Sequence, residues 1–310
     1  MSRPAAGGQR ILAGIALVIG ACAFFASMDT GSKYVVLAGV PILVGIWGRY
    51  VFQALATSAV VLPLRGLGVL RTRRLPFHFL RGLLLLGGSV FLFASLQFIP
   101  LGEFTAIMMI APLVVTLGAA TLLKERVSPL RWLLVAGGFA GTLVIIRPGG
   151  SDFSWVMLLP LAQVLCNAAF QVLTSQLART EDPMTMHMYT GWVGALGATL
   201  ALPFVWTALP GGWVWGLFVL MGLLGAVGHF LLILAYMRAP ATTLTPYLYI
   251  QIGFAMLAGW LVFSHVPDGW SVVGMALIAA CGVGGALLTL HEGRGARRAL
   301  QAGTASSPEA

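Results

Sequence analysis

Apolar residues along this chain form ten long runs, separated by short stretches that carry glycine, proline and charged residues. Most runs are close to the roughly 20 residues that an α-helix needs to cross the apolar core of a bilayer. The pattern therefore predicts an all-α membrane protein with ten transmembrane helices. The predicted spans are 11–32, 36–62, 79–98, 101–122, 129–147, 155–177, 184–206, 213–236, 242–263 and 269–290.

The two halves of the chain repeat the same order of features. Pro100 precedes Glu125 by the same distance as Pro240 precedes His265, and each pair leads into a tight turn and a glycine-rich last helix. Because each half has five spans, an odd number, the second half enters the membrane in the opposite orientation. Inverted repeats of this kind place a substrate site between the halves, near the membrane midplane.

These features define the expected domain organisation. Residues 1–150 are predicted to form the first five-helix repeat, and residues 151–290 the second, inverted repeat. Residues 291–310 are small and polar, which is typical of a disordered tail.

Composition narrows the class of protein further. Of the 310 residues, 59% are hydrophobic and only 9% are charged, and the mean hydropathy is +0.94. In a soluble domain about a quarter of all residues are charged, so a soluble enzyme is excluded. The net charge of +9 comes from lysines and arginines in the short loops, so it indicates orientation in the membrane and no nucleic-acid partner.

The distribution of these basic residues predicts the orientation. Nearly all of the 18 lysines and arginines, Arg81 included, fall on one side of the predicted spans, whereas Arg147 stands alone on the other. Loops rich in lysine and arginine stay in the cytoplasm. We therefore expect a multi-pass protein of the bacterial inner membrane with both termini in the cytoplasm.

Ionisable side chains inside spans cost about 2.5–3.5 kcal/mol, so they usually face a cavity or a partner. Asp29 and Lys33 share one helix face, and Arg49 can neutralise Asp29 or Glu103. This charge network either lines the transport pathway or forms a fixed ion pair that ties helices together. Glu103 suits the positive end of its helix dipole or a proton-coupling role, and His187 suits packing or proton coupling.

A polar stripe on the sixth span is the strongest candidate for substrate binding. Gln163, Asn167, Gln171 and Ser175 recur every four residues, and lipid does not tolerate such a face. The stripe either hydrogen-bonds a neighbouring helix or lines a cavity for an uncharged polar group, and its length favours the cavity. Pro246 is expected to free a backbone carbonyl toward the same cavity. The other candidate substrate-binding residues are Tyr247, Gln251, His229, Tyr236 and Trp192. Trp192 either belongs to the aromatic belt expected at span ends or stacks on a flat ligand.

The sequence contains no pattern that indicates catalytic residues, a cofactor site or a metal site. The five histidines are dispersed without carboxylates or cysteines at ligand spacing. No glycine-rich loop with a following lysine is present to bind the phosphates of ATP. We therefore expect no catalytic residues, no cofactor and no metal.

Short motifs in both halves carry a resemblance to a known family. They are Ala94–Glu103, Lys124–Val127, Gly137–Gly141 and Ile146–Gly149 in the first half, and Gly228–His229, Ala239–Ala241 and Pro246–Tyr247 in the second. With these motifs the chain resembles the drug/metabolite transporter superfamily, in its EamA-type ten-helix branch. Met28-Asp29 with Lys33, together with Gly228-His229, is most similar to the branch that takes up riboflavin and S-adenosylmethionine.

The resemblance implies a secondary transporter of a small organic metabolite that works by alternating access between the repeats. Transport by such a protein can be driven by the gradient of the metabolite itself, by a proton gradient or by exchange for another solute. Uptake of a vitamin or cofactor and export of an amino acid or toxic metabolite both stay open, because alternating access is reversible. An intramembrane enzyme and a non-transporting receptor are the alternatives from other classes. The expected partners are the metabolite and the bilayer, with the protein a monomer or a homodimer.

Overall fold

A computed structural model describes most of the chain: residues 5–99, 101–108, 110–122, 124, 127–146, 156, 158–264, 269–270, 272–281, 283–285, 287–288 and 291. These residues form helices and turns without a β-strand. Six helical segments among them are long and apolar enough to cross a membrane: Gly8–Leu37, Ile42–Leu70, Leu75–Phe98, Leu158–Leu177, Trp213–Tyr236 and Ala241–Phe263. The predicted all-α membrane fold is confirmed.

The helices follow the predicted spans in order. The first half contains α1 (Ala5–Leu37), α2 (Ile42–Arg65), α3 (Leu75–Phe98), α4 (Leu101–Met108), α5 (Ala111–Leu122) and α6 (Pro129–Ile146). The second half contains α7 (Leu158–Leu177), α8 (Pro183–Ala201), α9 (Trp213–Tyr236), α10 (Ala241–Leu248) and α11 (Ile250–Phe263), and residues 272–281 are helical as well. The predicted boundary at residue 150 and all of the tail except residue 291 lie outside the described residues.

Two of the predicted boundaries that differ from the structure have a local reason. The second span does not begin at residue 36, because α1 continues to Leu37 and the chain turns at Gly39, whose φ of 77° suits glycine. Pro41 then occupies the position just before the first residue of α2. The seventh span ends at Ala201 and not at residue 206, because Pro203 falls in a short 3₁₀ helix that follows α8.

Two spans predicted as continuous are broken at equivalent positions. The fourth span divides into α4 and α5 just before Pro112, which has no N–H to donate to the carbonyl of Met108. The ninth span divides at Tyr249, between α10 and α11. Helices α4 and α10 both have 8 residues, and each follows a proline in the sequence, Pro100 or Pro240. The repeat seen in the sequence therefore extends to the position of the break.

Packing between helices also relates the two halves. Helix α1 packs against α9 as α3 packs against α7, and α2 packs against α9 as α3 packs against α8. In the same way, α1 packs against α11 as α5 packs against α7. In these comparisons α1, α2 and α3 correspond to α7, α8 and α9, and α5 corresponds to α11. Exchanging each helix for its counterpart converts the first pair into the second, as expected for repeats related by a two-fold axis. Most of the extensive contacts lie between the halves, so the interface dominates the core.

The orientation count placed Arg81 with the basic residues on one side of the membrane, but in the structure Arg81 belongs to the core. Helix α3 begins at Leu75 and not at residue 79, with a proline in its first turn, so Arg81 lies inside the helix and is 0% exposed. Its Nε donates to Thr174 Oγ1 at 2.7 Å and its Nη1 to the Met186 carbonyl at 2.9 Å. Its guanidinium lies 4.9 Å from the centre of the Phe170 ring. Arg81 therefore ties α3 to α7 and α8.

Candidate functional site

Helices of both halves enclose a central cavity of about 90 Å³. The first half contributes residues from α1 to α5, and the second half contributes residues from α7, α9, α10 and α11. Both helix breaks reach it: Met108, Ala111 and Pro112 line it at one break, and Leu248 and Gln251 at the other. A site formed by discontinuous helices between two repeats is the arrangement that transporters use to bind a solute.

The predicted polar stripe faces this cavity. Gln163, Asn167 and Gln171 all line it from α7. The Gln171 amide nitrogen donates a short hydrogen bond to Asn167 Oδ1, and the Tyr236 hydroxyl donates to Gln171 Oε1 at 2.7 Å. Gln163 Oε1 is buried without a hydrogen-bond partner among the described residues. The stripe thus combines one internally bonded pair of amides with one amide oxygen that is still unsatisfied.

Two opposite charges line the same cavity. Asp29 comes from α1 and Arg49 from α2, and both are buried, Arg49 to 2% exposure. The Arg49 Nε has no hydrogen-bond partner in the described part of the chain. The ion pairs found among the described residues all involve Glu181, so the expected close pair of Arg49 with Asp29 is not among them. The side chain of Glu103 lies outside the described residues.

Lys33 lies apart from this pair. Its Nζ donates to the carbonyl of Leu96 at 2.7 Å and to that of Ile99 at 3.4 Å, at the end of α3. The last carbonyls of a helix have no partner within the helix, so a lysine ammonium satisfies them. The structure therefore gives Lys33 a capping contact and does not bring it to the cavity.

His229 adds a titratable group to the cavity wall. It is 4% exposed, and neither ring nitrogen has a partner among the residues that the structure describes. Its ring centre lies 4.8 Å from that of Phe25 and 5.7 Å from that of Phe170, and all three side chains line the cavity. An unpaired buried imidazole is costly, so a ligand or water in the cavity is its natural partner.

Three predicted site residues lie elsewhere. His187 Nε2 is 3.0 Å from Thr57 Oγ1, a contact that joins α8 to α2. Trp192 Nε1 donates to Ser58 Oγ at 2.9 Å, which holds its ring away from the cavity. Tyr247 lines a second, apolar cavity of about 300 Å³ beside α1. A fourth predicted residue, Tyr236, does not line the cavity, but its hydroxyl donates a hydrogen bond to Gln171 of the stripe.

The carbonyl freed by Pro246 does not serve the cavity. Proline cannot donate to the carbonyl four residues earlier, which belongs to Thr242. That oxygen accepts from Thr245 Oγ1 at 3.2 Å and from Arg131 Nη1 at 3.5 Å. Arg131 is itself buried, so the proline instead provides a contact between α10 and α6.

Sequence reasoning missed the aromatic residues of the cavity wall and one buried polar residue, Gln53, outside the cavity lining. The rings of Phe25, Phe104 and Phe170 line the cavity, but phenylalanine on an apolar helix carries no signal that separates a cavity from lipid. Gln53, one turn from Arg49, is 0% exposed with both amide atoms unpartnered among the described residues. Its four-residue spacing from Arg49 was the same signal that identified the stripe on α7, and it could have been found.

Comparison of the sequence with known proteins shows which family this chain belongs to. A sequence model described as the EamA-like transporter family matches residues 12–147. The chain is 36% identical over 219 residues to a riboflavin transporter of Rhizobium johnstonii, an alignment that covers 69% of this chain and 70% of the relative. The chain belongs to the EamA-like transporter family. The predicted resemblance and the prediction of a multi-pass membrane transporter are thereby confirmed.

The chain is also similar to a relative that is named for a different solute. An S-adenosylmethionine uptake transporter of Rickettsia felis is 27% identical over 230 residues, which cover 73% of this chain and 78% of the relative. A crystal structure superposes on this family member with a TM-score of 0.70 at 21% identity, and covers 94% of this chain and 99% of the other. At that identity the similarity shows the fold alone.

A second polar cluster joins the two halves at the end predicted to face the cytoplasm. Glu181, between α7 and α8, accepts a hydrogen bond from Thr72 Oγ1 at 2.8 Å, and its Oε2 lies 3.2 Å from His78 Nε2. Arg74 Nε is 3.9 Å from Glu181 Oε1. Burial by itself raises the pKa of Glu181, but the bonds from Thr72 and His78 and the charges of His78 and Arg74 lower it below its ordinary value. The ionised carboxylate therefore stabilises this contact.

Replacing Glu181 by glutamine is expected to open this end of the molecule. A cysteine at the cavity residue Leu84, with the three native cysteines replaced by alanine, reports access from inside-out vesicles. We expect maleimide labelling to rise about fivefold in Glu181→Gln, the effect of losing roughly 1 kcal/mol of charged hydrogen bonding. Because the pKa of Glu181 is lowered in the closed state, labelling of the wild type relative to Glu181→Gln at the same pH should rise as pH falls through the titration range of glutamate.

Asp182→Asn is the matched control for this experiment. Asp182 caps α8 by accepting from the amides of Met184 at 2.8 Å and Thr185 at 3.2 Å, and asparagine caps a helix equally well. Labelling in Asp182→Asn should equal that of the wild type. Equal labelling in Glu181→Gln as well would show that the Glu181 contact has no part in closing this end.

Proposed function

We propose that this transporter takes up riboflavin across the bacterial inner membrane by alternating access between its two repeats. One observation carries the proposal: a central cavity, shared by both halves and reached by two broken helices, is lined by amide side chains and phenylalanine rings. The named function of the relative from Rhizobium johnstonii supports the choice of solute.

The chemistry of riboflavin fits the lining. Its ring system is flat with apolar faces, which pack well against aromatic rings such as Phe25 and Phe170. One edge of the ring carries carbonyl oxygens and an imide N–H, which match the amides of Gln163 and Asn167. Its ribityl chain carries hydroxyl groups, which can donate to Asp29 and accept from Arg49. Ligand sites commonly combine an apolar lining with a few polar groups that orient the ligand.

S-adenosylmethionine is the second candidate, and Asp29 is the observation that favours it. A buried carboxylate is a natural partner for a sulfonium or an ammonium group, and the Rickettsia felis relative is named for this solute. The charge of Asp29 separates the two candidates. Asp29→Asn should lower binding of a cationic solute strongly, because it removes an ion pair, and binding of neutral riboflavin only weakly.

Coupling and direction complete the proposal. Asp29 and His229 are the titratable carboxylate and imidazole that line the cavity among the described residues. Proton coupling would therefore act through one of these two side chains. Uptake driven by protons predicts faster riboflavin entry when the outside is more acidic than the inside, whereas exchange predicts entry only into vesicles loaded with a counter-solute.

Riboflavin flux into proteoliposomes tests the proposal. We expect saturable uptake by the wild type, and a KM raised at least tenfold in the double variant Gln163→Ala with Asn167→Ala. The reason is the loss of two hydrogen bonds worth about 1 kcal/mol each. Gln176→Ala is the matched control, because Gln176 lies on the same helix with its side chain exposed, and its KM should not change.

Two results would contradict the proposal. Wild-type proteoliposomes that take up no more riboflavin than empty liposomes would exclude riboflavin as the solute. An unchanged KM in the double variant, with normal uptake, would show that the stripe on α7 does not contact riboflavin.

A further inference from the structure

Tyr236 connects the end of α9 to the polar stripe through two consecutive hydrogen bonds. It is 5% exposed and does not line the cavity. Its hydroxyl donates to Gln171 Oε1 at 2.7 Å, and the Gln171 Nε2 donates to Asn167 Oδ1. With the tyrosine hydroxyl as the donor, Gln171 presents its Oε1 to Tyr236 and its Nε2 to Asn167, and Asn167 presents its Oδ1 to Gln171.

This relay decides which atom Asn167 offers to a solute. Its Oδ1 is occupied by Gln171, so its Nδ2 is the group left to face the cavity, and that group is a donor. One helical turn away, Gln163 Oε1 is an acceptor without a partner among the described residues. Side chains four residues apart on a helix are neighbours, so the stripe presents a donor and an acceptor side by side.

We propose that Tyr236 is a positioning residue for substrate recognition, and that the donor of Asn167 and the acceptor of Gln163 bind an adjacent C=O and N–H of the solute. Such a pair occurs at the edge of a lactam or imide ring. The inference rests on the proposed function, because riboflavin carries an imide of this kind. It adds that the imide edge is the recognised feature, and that a residue outside the cavity sets the polarity of the site.

The experiment compares two solutes in proteoliposomes: riboflavin, and riboflavin methylated at the imide nitrogen, which keeps the ring but lacks the N–H. The wild type should prefer riboflavin about tenfold in KM, the cost of one unsatisfied buried acceptor and a misplaced methyl group. In Tyr236→Phe both amides can rotate, so the preference should fall at least threefold with little change in the maximal rate. Gln171→Met removes the next bond of the relay and should have the same effect.

Tyr34→Phe is the matched control. Tyr34 is 47% exposed and packs through its ring against Trp213 and Phe263, so removing its hydroxyl should change neither KM nor the preference. A purely structural role of Tyr236 would lower the uptake of both solutes equally and leave their ratio unchanged, which would overturn the inference. Absence of riboflavin uptake by the wild type would instead overturn the proposed function, and this inference with it.

Discussion

Replacing Arg49 by methionine is expected to abolish uptake while leaving the protein folded. Arg49 is 2% exposed in the wall of the central cavity, and its Nε has no hydrogen-bond partner among the described residues. Methionine keeps the length of the side chain and removes the charge. Losing charge-assisted hydrogen bonds to a bound solute, and the positive charge in the cavity wall, should lower the uptake rate at least a hundredfold, roughly 3 kcal/mol.

The thermal stability of the same variant separates the two interpretations of the charge network. If Arg49 served to tie helices together in a buried ion pair, its removal would destabilise the protein by about 3–5 kcal/mol. Because no such pair is found among the described residues, we expect the melting temperature of Arg49→Met to stay the same or rise. Arg73→Met, at an exposed position, is the control for both uptake and melting. A large drop in stability together with lost uptake would favour the structural interpretation.

Replacing Gly194 by alanine is expected to destabilise the packing of α8 on α2. A Cβ at this position would lie 2.2 Å from Cδ1 and 2.4 Å from Cε1 of Tyr50. Tyr50 is fully buried, and its hydroxyl is 2.9 Å from Ser89 Oγ, so its ring has little room to move. Overpacking of this kind costs about 1–3 kcal/mol, and we expect the melting temperature to fall by about 2–6 °C.

Two further variants test this explanation. Gly216→Ala in α9 is the matched control, since a Cβ there would meet no atom within 4 Å, and alanine favours the helix. Tyr50→Leu combined with Gly194→Ala should recover stability relative to Gly194→Ala alone, because the obstructing ring is gone. If Gly194→Ala melts like the wild type, the close approach of these two helices does not contribute to stability.

The predictions that succeeded from sequence relied on repetition along the chain. The four-residue spacing of Gln163, Asn167 and Gln171 predicted one polar face, and the structure turns that face to the cavity. The matching distances after Pro100 and Pro240 predicted two equivalent halves, and the helix packing is arranged accordingly. Both signals are local periodicities, which any single helix carries in its own residues.

The predictions that failed needed knowledge of a neighbour. The sequence could not reveal that Lys33 reaches the end of α3, that Arg81 lies in the core, or that Ser58 holds Trp192 away from the cavity. Each of these contacts joins helices far apart in the chain. A polar side chain in a span must find a partner, but several helices offer one, and only their packing decides which.

The sequence by itself therefore determined that this protein spans a membrane, that it consists of two related halves and that one face of α7 is polar. These properties follow from hydropathy and spacing within single helices. Only the tertiary structure decided that both broken helices meet at one cavity, that Asp29, Arg49 and His229 share it, and that Tyr236 donates a hydrogen bond to Gln171. Those contacts depend on how helices from the two halves pack together, and no periodicity within one helix encodes that arrangement.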